Sequence, residues 1–75
     1  MMEMIDLSGW NEKLNIFLNN KIRVHIDLFD GTFLNGTIIK KVKEDVWLIL
    51  EDKLGEVFVF VRDIKILKQN LEVNK

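Results

Sequence analysis

Cysteine, proline and tyrosine are absent from this 75-residue chain, and histidine occurs once. Without cysteine, neither a disulfide framework nor a thiolate metal site can stabilise the domain. A domain this small buries only roughly 60% of the surface its unfolded chain exposes, so stability must come from a packed core or a partner subunit. Without proline, no strand is demoted to a sheet edge on that ground. Long apolar runs are missing too, and nothing approaches the roughly 20 residues that span a bilayer. Nor does one sign of charge dominate: 11 Lys and Arg face 12 Asp and Glu, and 48% of residues are hydrophobic. That balance excludes a disordered polyelectrolyte and a generally basic nucleic-acid coat, so any RNA or DNA would be held at a local patch. The opening "MMEMIDL" carries an acidic residue where a secretory leader wants positive charge, and a cytoplasmic protein without membrane association is the expectation.

What is present falls into two periodicities. In "SGWNEKLNIFLNN", Trp10, Leu14, Phe17 and Leu18 share one helical face, which predicts a helix over about 8–20 with Asp6 and Ser8 as caps and Asn19 and Asn20 as its stop. From Lys21 the period drops to two. Ile22, Val24, Ile26 and Leu28 alternate with Arg23, His25 and Asp27, as in a half-buried strand. Asp30 and Gly31 supply a tight turn. "TFLNGTIIKK" returns with Leu34, Gly36 and Ile38 on one face; "VKED" is a turn; "VWLILE", "EVFVFVR" and "DIKILK" read as third, fourth and fifth strands. Glycine within a strand marks a bulge, a bend or a close backbone approach, and Gly36 is taken as the bend of a small barrel. The expectation is a single domain over 1–75, mainly β: an N-terminal α-helix, then a five-stranded, strongly bent antiparallel small barrel over about 21–68, with a frayed tail over 69–75.

"VFVFV" is apolar on both faces, with Val57, Val59 and Val61 on one and Phe58 and Phe60 on the other. A lone barrel has only one inside, so the second face calls for cover by the helix or a neighbouring subunit. His25 lacks companions for a metal site, and no metal or other cofactor is expected. The carboxylates cluster at turns, where they suit Asx-type hydrogen bonding. No nucleophile has a convincing base and no glycine-rich phosphate loop is present, which argues against an enzyme.

Across residues 14–68 the pattern resembles the Sm-like family, which includes the eukaryotic and archaeal Sm rings and bacterial Hfq. "KIRVHIDLFDGTFLNGTI" and "DVWLILED" are similar to its first motif, with Asp30-Gly31, four residues and Gly36 at the family's separation. "FVFVRDIKIL" is similar to the second. The resemblance implies the Sm-like barrel, a homo-oligomeric ring paired through the fourth and fifth strands, and single-stranded RNA bound near the pore. Family members hold uracil with an aspartate and an asparagine before the third strand; counting back from Leu48, Lys43 and Trp47 stand at those positions. Arg62 stands for the basic residue of the second motif, followed by Asp63 where the family has glycine. The candidate RNA contacts are Arg62, Trp47 and Lys43, with Asp30, Gly31 and Gly36 as structural turn and bend. Trp47 also suits an ordinary core position, and Arg62 an ion pair with Asp63. Two alternatives stay open: a ring serving as a protein-interaction or assembly scaffold without RNA, and a monomeric peptide-binding barrel of the Src-homology kind.

Overall fold

The structure, a computed structural model, describes residues 8–71. Helix α1 spans Ser8–Asn19, followed by β1 (Val24–Leu28), β2 (Phe33–Lys43), β3 (Val46–Glu51), β4 (Gly55–Phe60), a 3-10 turn (Val61–Asp63) and β5 (Ile64–Gln69). The expected cap Asp6 lies outside the described residues. At the other end of α1, Lys21 takes a left-handed φ of 55°. Its N–H donates to the Leu18 carbonyl and that of Ile22 to the Phe17 carbonyl, which is a Schellman motif. The two asparagines expected to stop the helix are thus joined by a lysine at the terminating position, and Asn20 Nδ2 closes on the Ile16 carbonyl.

The five strands form one antiparallel sheet in the order β4-β3-β2-β1-β5. It is open: β4 and β5 are its two edges and are not bonded to each other. Leu14 and Phe17 of α1 close over the inner face, where Val24, Ile26, Leu34, Trp47, Ile49, Val59, Ile64 and Leu67 form the core.

Gly31, at φ 94°, ends the β1–β2 loop; its N–H reaches the Leu28 carbonyl while Leu28 N–H pairs with Thr32, a type I turn with a glycine bulge. Asp30 Oδ1 accepts from both the N–H and the hydroxyl of Thr32 and locks the loop as an Asx turn. Gly36 sits opposite both Val24 and Glu51. A Cβ there would lie 2.0 Å from the Leu50 carbonyl oxygen and 2.9 Å from Glu51 Cα. Its role is a close approach of β2 to β3, while the bulges of β2 fall further on, at Ile38/Lys40 and Lys41/Lys43. Those bulges carry β2 to Lys43 and shrink the expected "VKED" turn to Glu44 and Asp45.

Two boundaries differ at the chain's end. Val61 and Arg62 leave the fourth strand for the 3-10 turn, although Val61 stays buried. The tail expected from residue 69 is tied at its start, since Gln69 ends β5 and Asn70 N–H donates to the Arg23 carbonyl.

Candidate nucleic-acid interface and the open sheet edges

Lys43 ends β2 and pairs with Val46, which pairs in turn with Phe60, two residues before Arg62. The ladder therefore brings Lys43 and Arg62 to the same end of the sheet, on either side of the Glu44–Asp45 turn. Both are exposed, and neither forms an ion pair among the described residues. The alternative of an Arg62–Asp63 pair is thus not realised. Arg62 lines an open groove with Glu44, Asp45, Val46 and Phe60, so carboxylates share the site with the guanidinium. Asp45, at a left-handed φ of 63°, is held by Asn11 Nδ2 at 2.7 Å and by Val61 N–H, which bonds its carbonyl at 2.9 Å.

Trp47 requires a correction. It is 1% exposed, and its indole N–H donates to Asn11 Oδ1 at 2.9 Å. No ring face is open for a base to stack on. Asn11 instead joins α1 to both Trp47 and the Asp45 turn, which satisfies a buried donor that would otherwise cost about 1–3 kcal/mol. Sequence inspection missed Asn11 because its partners lie 34 and 36 residues away.

Glu51 is the one buried charged residue among those described. Oε1 accepts from the N–H groups of Lys53 and Leu54, and Oε2 from that of Asn35, which fixes the β3–β4 turn. These bonds, led by the one from Leu54, hold its carboxyl below the usual carboxylate range. Thr32 does the same for Asp30, and Arg23, reaching from ahead of β1, for Asp52. His25, which lacks companions for a metal site, lies in a cross-strand network. Its ring nitrogens meet Asn35 Oδ1 at 2.6 Å and Asp27 Oδ1 at 3.0 Å, and the ring stacks on exposed Phe33 at 5.6 Å.

The two edges differ in a way that strand geometry defines. Backbone groups along an antiparallel strand point alternately toward and away from a given neighbour. The Val61–Asp45 bond sets the phase for β4, so Glu56, Phe58 and Phe60 turn their N–H and C=O groups outward from the sheet. Their side chains lie on the uncovered face, with Phe58 61% and Phe60 44% exposed. On β5 the bonds from Asn70 to Arg23 and from Phe29 to Asp63 set the phase, and Ile64, Leu67 and Gln69 carry the outward backbone groups. Here the side chains of Ile64 and Leu67 are in the core. The helix, which packs on the inner face, leaves the two phenylalanines uncovered.

No helix among the described residues is long and apolar enough to cross a membrane. Comparison with protein-family models and with curated proteins found no match to this chain.

Proposed function

We propose that this chain is a non-catalytic, self-assembling Sm-like domain of the cytoplasm that forms a homo-oligomeric ring and binds single-stranded RNA near the pore through Arg62 and Lys43. The observation that carries the reading is the pair of open sheet edges, β4 and β5, together with the apolar outer face of β4. Exposed edges and exposed aromatics are liabilities in a monomer, and both are removed when the β4 edge of one copy pairs with the β5 edge of the next. Such a contact is head-to-tail, so it closes into a ring when the rotation per copy divides a full turn. Within the ring each bent sheet gains the neighbour that its open form lacks. Arg62 and Lys43 then recur around the assembly, and their exposed cationic groups suit phosphate and base edges.

A second reading has its own support. Buried Trp47 and the carboxylates of Glu44 and Asp45 beside Arg62 favour a ring used as an assembly scaffold without RNA. Light scattering, with binding of labelled oligo-uridine and oligo-adenosine at low and moderate salt, separates the readings. A ring-sized particle whose RNA affinity falls steeply with salt and is lost in Arg62→Ala supports the first. A ring that ignores both oligomers selects the scaffold, and a monomer removes both.

A further inference from the structure

The β5 edge carries a contact that bears directly on strand addition. Lys13 Nζ, from the second turn of α1, donates to the Leu67 carbonyl at 2.8 Å. Trp10 and Phe17, three residues before and four after, share its helical face, and their ring centroids lie 5.7 and 5.8 Å from the ammonium. Leu67 stands opposite Ile26 of β1 as a pair without mutual backbone bonds, so its carbonyl belongs to the outward row of the edge. A lysine side chain from the helix therefore occupies one of the few acceptors that an added strand, running about 4.8 Å away, would use.

We propose that Lys13 guards the β5 edge: its bond to Leu67 closes the edge in the single chain and yields when the β4 edge of a second copy adds. This inference rests on the assembly reading above. Side-chain parity supplies the exchange. Residues directly opposite in an antiparallel ladder project to the same side. The outward-bonding residues of β4 include Phe58 and Phe60, whose side chains are on the uncovered face; those of β5 include Ile64 and Leu67, whose side chains are on the core face. When the two edges join, Phe58 and Phe60 of the incoming copy come to the helix-covered side of β5. They arrive beside the Trp10 and Phe17 rings that seat the ammonium. An aromatic pair and a ladder N–H replace a cation that returns to water. Strand edges in monomers are commonly blunted by lysine, and here the blunting group is removable because it belongs to another element.

Sedimentation velocity across a wide concentration range, with circular dichroism to confirm folding, tests the guard in wild type, Lys13→Met, Lys13→Arg and Phe58→Ser/Phe60→Ser. Lys13→Met keeps the apolar stem and removes the donor. It is expected to assemble at about tenfold lower concentration than wild type, a ratio equivalent to about 1.4 kcal/mol. Lys13→Arg keeps a cationic donor and is expected to stay close to wild type. In assembled Lys13→Met, the amides of Leu67 and Gln69 should gain protection from hydrogen exchange. Equal or weaker assembly of Lys13→Met, with assembly lost in the double phenylalanine variant, overturns the guard and leaves the edge pairing standing. Wild type and Lys13→Met both monomeric at every concentration overturn the pairing, and the guard with it.

Discussion

Replacing Gly36 by alanine tests the central packing argument. The added Cβ would meet the Leu50 carbonyl oxygen at 2.0 Å and two further backbone atoms at 2.9 Å. Gly36 and Glu51 form a pair without mutual backbone bonds, the spacing at which strands come closest. Overpacking costs about 1–3 kcal/mol when side chains can yield; because the obstacle here is backbone, the upper end of about 3 kcal/mol applies. Restricting the unfolded chain returns about 0.5 kcal/mol. The net loss of about 2.5 kcal/mol corresponds to a fall in Tm of about 10–20 °C for a domain of this size. Thermal unfolding at matched protein concentration is the assay, with Gly9→Ala as control. Gly9 has nothing within 4 Å of its added Cβ and sits in α1, where alanine is favoured by up to about 1 kcal/mol. A Gly36→Ala protein that melts within 2 °C of wild type would refute the close approach.

Trp47→Phe removes the indole donor to Asn11 Oδ1 and leaves space in the core. Calorimetry should record a loss of about 1–3 kcal/mol, while RNA affinity of the folded protein, by fluorescence anisotropy, should not change. Glu51 contributes stability above its unfolded value near 4.5 that is lost as pH falls through its lower folded value; Asp30 and Asp52 act likewise below about 3.8. Melting between pH 7 and 3 should therefore steepen below about pH 4.5, and Glu51→Gln should flatten that fall while lowering Tm at pH 7. If Arg62 and Lys43 each neutralise one phosphate, Arg62→Ala and Lys43→Ala should each reduce the salt slope of oligonucleotide binding by about 0.7. An unchanged slope would remove the residue concerned from the interface.

Much of the fold was legible in the order of the residues, because period and turn chemistry are local. The 3.6-residue spacing of Trp10, Leu14 and Phe17 marked α1, alternation marked β1, an apolar run after a polar turn marked β3, and Asp30-Gly31 marked the first hairpin. The double apolar face of "VFVFV" was readable too, since it needs only strand parity. Misplaced features depended on partners far along the chain. β2 outran its pattern because bulges opposite β3 carried it to Lys43.

The site divides in the same way. The resemblance to the Sm-like motifs singled out the cations Lys43 and Arg62, but only the ladder through Val46 and Phe60 placed them at one end. Trp47 has the same sequence neighbours whether it is a base platform or a core side chain. Tertiary packing decided for the core, where burying an indole whose N–H has found Asn11 is more favourable than leaving it in water. The Lys13–Leu67 bond spans 54 residues and had no signature in the sequence. By itself the sequence determined which segments are helix or strand and which faces are apolar. Tertiary structure alone decided which backbone edges stay open and which charges meet them, because both depend on register between strands distant in sequence.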